Sequence, residues 1–172
     1  NHYYYFGKTP GKVSEKKGWQ KIFDPKGKFY GWYYFDSNGN HYTNKLTSEG
    51  YYFTPDGRLA SGLQTINGRK YIFKASTASE RKGKMYKNTM VRYKKKWYFA
   101  SQSGALIKNG WKHYNGNWYY IKNYEVLTNS FIKKNGVNGF VDANGKYTSG
   151  WVVVSNAQNL VRYINPDGTG KA

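Results

Sequence analysis

The chain has 172 residues, of which 20% are aromatic, and its 28 Lys and Arg against 9 Asp and Glu give a formal net charge of +19. Such a balance predicts attraction to polyanions such as nucleic acid, teichoic acid or acidic glycan, and the absence of Cys excludes disulfides, thiolate nucleophiles and Cys-ligated zinc. The longest apolar runs have about four residues, whereas a membrane-spanning helix needs roughly 20.

One pattern recurs along the chain: a bulky apolar residue, two or three aromatic residues, and a turn rich in Pro, Asn, Asp and Gly. The copies, in chain order, are "KIFDPKGKF" at 21–29, "GWYYFDSNGN" at 31–40, "GYYFTPDGR" at 50–58, "RKYIFKAS" at 69–76, "KKWYFASQSGAL" at 95–106, "GNWYYIKNYEVL" at 116–127, "NGFVDANGKY" at 138–147 and "LVRYINPDGTG" at 160–170. The segment "YYYFGKTPGK" at 3–12 is interpreted as a worn first copy.

The spacing of the copies defines the repeat. Between the last apolar residues before successive turns it is 12, 18, 20, 27, 21, 20 and 23 residues, which centres on about 20. The spacing of 12 between Phe23 and Phe35 is interpreted as a shortened hairpin, and the spacing of 27 contains an insert, "KASTASERKGKMYKN". Repeats of this length are typical of solenoids.

The local chemistry of each copy indicates a β-hairpin. Aromatic residues favour strands, Gly supplies positive φ, and Pro presets a turn corner. No window shows a helical apolar period. We therefore expect an all-β fold, a solenoid or superhelix of successive β-hairpins with about 20 residues per repeat and a thin core of aromatic rings. Residues 1–17 are predicted to form the worn N-terminal unit, and residues 18–172 the hairpin-repeat domain.

The polar residues give no indication of catalysis. Five of the nine acids occupy turn positions, where turn chemistry explains them, and the other four form no pair suited to acid–base work. The three His have no metal-ligand spacing. The sequence therefore predicts a protein that is not an enzyme and that needs no cofactor or metal.

The stretch "GWKHYNGNWYYI" at 110–121 resembles the choline-binding or cell-wall-binding hairpin repeat of Gram-positive surface proteins. The stretch "YYFTPDGRLASGLQTINGRKYIF" at 51–73 is similar to related repeats in the glucan-binding domains of glucansucrases and in clostridial toxin tails. The resemblance covers about residues 18–168. It implies a superhelix of hairpins with ligand sites between them, which in the choline-binding type are aromatic cages that hold a quaternary ammonium.

Tryptophan marks the candidate sites. "GW" occurs intact at Trp19, Trp32, Trp111 and Trp151, and only one copy carries both tryptophans of the resembled pattern, at Trp111 and Trp118. Because a field of +19 disfavours cationic ligands, we expect lysines to contact phosphates or carboxylates instead. The predicted ligand-binding residues are Trp32, Trp97, Trp111, Trp118, Tyr120, Trp151, Lys94, Lys95, Lys96 and Lys112. Packing between hairpins is the alternative role for each ring, and protection of a sheet edge is the alternative for the lysines.

These observations support a ranked set of functions. The first hypothesis is a non-catalytic module that anchors a larger secreted protein to Gram-positive cell-wall polysaccharide, teichoic acid first, at the cell surface. The second is an α-glucan-binding repeat domain of a glucansucrase-like protein, for which binding would depend little on salt. The third is binding of single-stranded nucleic acid, since basic and aromatic residues interleave.

Overall fold

The structure is a computed structural model that describes residues 17–24, 26–148, 150–155, 160–164 and 170–171. For residues 137–138 and for those from 150 onward it describes the backbone alone. The strands, in chain order, are β1 (Gly18–Phe23), β2 (Phe29–Phe35), β3 (Lys45–Leu46), β4 (Tyr52–Phe53), β5 (Gly62–Ile66), β6 (Arg69–Phe73), β7 (Thr89–Tyr93), β8 (Lys96–Ala100), β9 (Gly110–Tyr114), β10 (Asn117–Lys122), β11 (Glu125–Val126), β12 (Ser130–Lys134), β13 (Val137–Val141), β14 (Tyr147–Thr148), β15 (Gly150–Ser155), β16 (Leu160–Ile164) and β17 (Gly170–Lys171).

The prediction of an all-β chain without helix is confirmed for the described residues. Seven antiparallel hairpins recur there: β1–β2, β3–β4, β5–β6, β7–β8, β9–β10, β12–β13 and β15–β16. The chain divides into two compact units between Lys87 and Asn88. The first unit holds β1–β6 as three two-stranded sheets. In the second unit β7–β11 form one sheet in the order β7-β8-β11-β10-β9, followed by two three-stranded sheets, β12-β13-β14 and β15-β16-β17.

The tips of four long hairpins are two-residue turns in which both residues have positive φ. Three of them are Asn-Gly pairs, as at Asn115 (φ 47°) and Gly116 (φ 74°), the residues that such a turn favours. The fourth is formed by Lys94 (φ 47°) and Lys95 (φ 67°). Lysine rarely adopts this left-handed conformation, so the β7–β8 tip stores backbone strain that its sister tips avoid.

The Asp-rich turns use the Asp side chain as a backbone acceptor. The Oδ1 atoms of Asp24, Asp36 and Asp142 each accept N–H groups from the residues two and four positions later. These bonds stabilise a four-residue reversal that the backbone closes again at its Gly. The explanation of these acids by turn chemistry is therefore confirmed at the three positions.

The interpretation of the 12-residue spacing is wrong. Phe23 and Phe35 do not end two successive hairpins, because they lie in opposite strands of the single hairpin β1–β2, where Gly18 pairs with Phe35 and Phe23 with Phe29. The turn after Phe23 is the tip of this hairpin, whereas the turn after Phe35 follows its second strand and leads to a bridge between Phe35 and His41. Similar four-residue turns thus serve two different places in the repeat.

The core is built from the residues that end the second strands. Phe53, Phe73, Ala100 and Val141 end their strands, Ile121 is the penultimate residue of β10, and all five are at most 2% exposed. About half of the buried apolar side chains are aromatic, so rings supply much of the core, as the composition predicts. The insert contributes Met85, which is buried and bridges to Phe73.

Candidate functional site

The described tryptophans of both units keep part of their rings exposed. None of the five whose side chains the structure describes is among the buried residues, whereas Tyr, Phe and aliphatic side chains fill the core. Trp118 is the most exposed of them, at 39%. Some of these rings also pack against the core, as Trp19 does on Phe53 with centroids 5.5 Å apart, and the part of each ring that stays exposed offers an apolar contact surface.

The hairpin β9–β10 sorts its rings by face. Trp118 pairs with His113 and Tyr120 with Trp111 across the two strands, so these four side chains share one face. Their rings touch pairwise, with centroids 5.0 Å apart for Trp118 and His113 and 5.1 Å apart for Trp111 and Tyr120. Tyr119 points to the other face and is buried. Alternation along one strand thus separates core rings from surface rings.

The next sheet completes this surface. Tyr147 of β14 meets Trp111 edge to face at 5.2 Å, and the Nζ atom of Lys134, at the end of β12, lies 4.0 Å from the ring centroid of Trp118 and 6.0 Å from that of Trp111. We call the surface formed by Trp111, Trp118, Tyr120 and Tyr147 the aromatic cup. An ammonium group over two indole rings is a favourable cation–π arrangement.

Glycine makes room for one wall of the cup. A Cβ added at Gly139 would lie 2.2–2.6 Å from the Cε2, Cζ and hydroxyl oxygen atoms of Tyr147, so a side chain at this position on β13 would displace the tyrosine. The same position is aromatic in several sister copies, where it leads the aromatic triplet. The departure from the repeat pattern at Gly139 therefore has a steric reason, which the sequence alone does not reveal.

The predicted lysines do not form one group with the cup. Lys94 and Lys95 are exposed at the β7–β8 tip. Lys96 forms an ion pair with Glu125 at 2.7 Å, and this hydrogen bond and the charge of the carboxylate raise the pKa of Lys96. Lys112 pairs with Tyr119 across the strands and so lies on the opposite face of β9 from the cup.

Two further predicted tryptophans have other surroundings. The indole N–H of Trp32 donates to the carbonyl oxygen of Thr77 at 2.8 Å, and the Nζ atom of Lys21 lies 5.3 Å from the Trp32 ring. Trp97 packs partly against the core cluster of the second unit, and the guanidinium of Arg92 lies 5.9 Å from its ring. For Trp151 the backbone lies in β15, and its side chain is outside the described part of the structure.

A groove of about 220 Å³ opens beside Trp32 in the first unit. Its lining includes Tyr30, Arg58 and Gln64, and Arg58 lies 4.9 Å from the ring of Tyr30. A ring face beside amide and guanidinium donors suits a sugar, which offers an apolar face and hydroxyl acceptors.

The sequence missed a second cation–aromatic cluster in the first unit. The guanidinium of Arg81 lies 3.9 Å from the ring of Trp19 and 5.4 Å from that of Tyr51, and it donates a hydrogen bond of 3.0 Å to the Tyr51 hydroxyl. Trp19 was signalled by the intact "GW" pair, but Arg81 lies in the insert, and no motif indicates where the insert folds. Lys134 and Tyr147 were missed for the same reason, since their contacts form between hairpins.

A shared feature emerges from these contacts. Each described tryptophan has a Lys or Arg of the same chain within 6.0 Å of its ring centroid. The pairs are Trp19 with Arg81, Trp32 with Lys21, Trp97 with Arg92, and both Trp111 and Trp118 with Lys134. The candidate site is thus a series of partly exposed tryptophans, each with a positive charge near its ring.

Neither a metal site nor a membrane span is found in the described part of the chain. No three His, Asp or Glu side chains there come together in a way that could hold a metal ion. None of these residues belongs to a helix with the length and apolar character needed to cross a membrane.

The comparisons with known proteins agree with this architecture. Residues 109–123, which hold the hairpin β9–β10 and two cup tryptophans, match a family model described as a putative cell wall binding repeat. No curated protein sequence matches the chain. The resemblance to the choline-binding and cell-wall-binding repeat superfamily is confirmed by this match and by the solved structures below.

Solved choline-binding proteins share the fold. CbpJ from Streptococcus pneumoniae TIGR4 superposes with a TM-score of 0.69 at 21% identity, covering 99% of this chain and 70% of that one. Choline binding protein F from Streptococcus pneumoniae gives 0.62 at 24% identity, with 93% and 49% covered. The choline-binding domain of CbpL from Streptococcus pneumoniae gives 0.55 at 18% identity, with 91% and 98% covered. The chain spans about half the length of choline binding protein F.

Proposed function

We propose that this chain is a non-catalytic binding module that anchors a larger secreted protein to the Gram-positive cell wall. Its ligand is an anionic wall polymer, and teichoic acid is the first candidate. The match of one hairpin to a putative cell wall binding repeat and the fold shared with choline-binding proteins support a wall ligand. We include in the proposal that the hairpins follow one another as a superhelical solenoid, which the repeat length of about 20 residues supports.

The observation that carries the choice of ligand is the positive charge over each described tryptophan. In the aromatic cup, the rings of Trp111 and Trp118 hold the ammonium of Lys134 in place. A phosphate that reaches this ammonium gains a charge-assisted hydrogen bond, while the exposed ring of Trp118 offers an apolar surface to the adjoining sugar or polyol. The same pairing of ring and cation occurs at Trp19 and Arg81.

Repetition compensates for the weakness of each contact. A single cation–phosphate contact at the surface contributes little in salt solution, because water and ions screen it. A polymer repeats its phosphates, so a second contact forms at the high effective concentration that the first one creates. Surface tryptophans with a cation in both units therefore suit a long ligand better than a monosaccharide.

The groove beside Trp32 favours a second candidate, binding of a neutral α-glucan. Tyr30, Trp32 and Gln64 provide ring faces and an amide there, which a neutral sugar can use without any ionic contact. The two candidates differ in salt dependence, since only a polyanion releases counterions on binding. Nucleic acid is also a polyanion, and it serves as the competitor in the test.

The test is binding of the full chain to purified walls before and after extraction of teichoic acid with hydrofluoric acid. We expect extraction to abolish most binding. We also expect log K to fall with log salt by roughly 0.7–0.9 for each phosphate contacted, by analogy with nucleic acids. Undiminished binding to extracted walls at about 0.5 M salt would reject teichoic acid and favour the neutral glycan. Loss of wall binding in the presence of single-stranded DNA at equal phosphate concentration would favour nucleic acid.

A matched pair of variants tests the placement of the site. Trp118→Ala removes an exposed ring of the cup, whereas Phe131→Ala removes an even more exposed ring, at 55%, that pairs with Phe140. We expect wall affinity to fall several-fold for Trp118→Ala and for Trp111→Ala, and to stay close to wild type for Phe131→Ala. Full-strength binding by a folded Trp111→Ala, Trp118→Ala double variant would refute the placement.

A further inference from the structure

Lys134 occupies the aromatic cup as a ligand would. Its Nζ atom lies 4.0 Å from the centroid of Trp118 and 6.0 Å from that of Trp111, and the side chain is only partly exposed. The ion pairs of the described residues, such as that of Lys96 with Glu125, do not include Lys134. The negative faces of the rings, rather than a carboxylate, therefore stabilise its charge.

We propose that Lys134 is the specificity-determining residue of the aromatic cup: its tethered ammonium fills a site whose rings would otherwise bind a small organic ammonium ion, and it converts that site into one for phosphate. The chemistry of the cup follows from its present occupant. Rings that hold one ammonium group attract another, and removal of the Lys134 side chain beyond Cβ frees room of about the size of a small quaternary ammonium ion. Lys134 thus excludes cationic ligands both by volume and by charge repulsion.

The first unit contains a second instance of the same arrangement. Arg81 lies over Trp19 and is held by the Tyr51 hydroxyl, and Trp19 is flanked by Tyr34 with ring centroids 5.3 Å apart. The cation comes from a different part of the repeat, since Arg81 belongs to the insert and Lys134 to a strand end. A cation thus lies over the rings both at Trp19 and in the aromatic cup, although the two cations come from different positions in the repeat. The feature that the two places share is a ring face covered by a cation of the chain itself.

The inference deepens the proposed function and rests on it for the ligand that Lys134 contacts. The ring-facing side of the ammonium is covered, but its outward hydrogens can still donate to a phosphate oxygen. Removing Lys134 should therefore have two opposite consequences, a loss of anion contact and a gain of cation contact. The gain is measurable without any wall polymer.

The experiment is a titration of the full chain with tetramethylammonium chloride, followed by tryptophan fluorescence and calorimetry at constant ionic strength. We expect no saturable binding to wild type and millimolar binding to Lys134→Ala, at least about tenfold tighter than the limit for wild type. Lys133→Ala is the matched control, because it removes the same charge from the neighbouring, exposed position on β12. Lys134→Arg keeps a cation in the cup and should behave as wild type.

The outcomes separate cleanly. Saturable binding that is confined to Lys134→Ala, and that the neutral isostere tert-butanol does not reproduce, supports the inference. A folded Lys134→Ala that does not bind, or an equal gain by Lys133→Ala, overturns it. If Lys134→Ala does not fold, Lys134→Thr replaces it, since threonine favours strands and is also too short to reach the rings. Failure of wall binding with a positive titration would reject the proposed function but retain the role of Lys134.

Discussion

Replacing Lys94 by Asn and Lys95 by Gly is expected to stabilise the second unit by about 2 kcal/mol. Both lysines have left-handed φ values, 47° and 67°, and this conformation costs a residue with an ordinary side chain roughly 1–2 kcal/mol. Glycine adopts it without steric cost, and asparagine tolerates it better than other side chains. The sister tip at Asn115 and Gly116 has almost the same φ values, 47° and 74°, so the new pair fits without rearrangement.

The gain is measured by calorimetry and urea unfolding of the full chain. For a protein of this size, about 2 kcal/mol corresponds to a rise in Tm of roughly 4–8 °C. Lys94→Gln with Lys95→Gln is the control, because it removes the same two charges but keeps the strain. The reverse exchange, Asn115→Lys with Gly116→Lys, should lower stability by a similar amount. Equal stability of the Asn-Gly and Gln-Gln variants would refute the argument from backbone strain and assign any gain to relief of charge repulsion.

Three other predictions concern the core and the cup of the second unit. Phe99→Ala should lower the free energy of unfolding by about 3–5 kcal/mol because the ring is fully buried. Phe131→Ala should lower it little, because that ring is 55% exposed. Similar losses in urea unfolding of the two variants would contradict the assignment of Phe99 to the core and Phe131 to the surface. Gly139→Ala should lower the free energy of unfolding by about 1–3 kcal/mol and move the ring of Tyr147. Crystallography, or loss of nuclear Overhauser contacts between Tyr147 and Trp111, would reveal the movement. Unchanged Tyr147 signals would argue against the steric role of Gly139. Burial raises the pKa of Tyr147, so the folded state keeps the phenol proton to a higher pH than the unfolded state does. The contribution of Tyr147 to the free energy of unfolding should therefore be complete below a pH of about 10 and be lost above it. A Tm that stays constant between pH 9 and 11 would disprove this.

The local structure follows from residue types and their spacing. Asn-Gly pairs, Asp-led turns and runs of aromatic residues specify hairpins, because turn geometry and strand propensity act over a few neighbouring residues. The interpretation of Phe23 and Phe35 failed because the turn after each has the same chemistry. Such a turn reverses the chain equally well at a hairpin tip and after a second strand, so only strand pairing distinguishes the two.

The sequence also identified the hairpin that carries the cup. The paired tryptophans Trp111 and Trp118 stand out within the repeat, and strand alternation places them on one face whatever the tertiary structure is. It did not separate Lys112 from that face, although the same alternation could have done so, since neighbouring residues of a strand point to opposite sides.

Only the tertiary structure decided which charges lie over the rings. Lys134 and Tyr147 reach the cup from the following sheet, and Arg81 reaches Trp19 across 62 positions of the sequence. Such contacts depend on how one hairpin packs on another and on where an insert folds, and neither leaves a local pattern. A lysine at a hairpin tip and a lysine over an indole ring are the same residue type with the same intrinsic strand propensity, so the local sequence does not distinguish them. What distinguishes them is the position of the neighbouring hairpin, which long-range packing of the core residues determines.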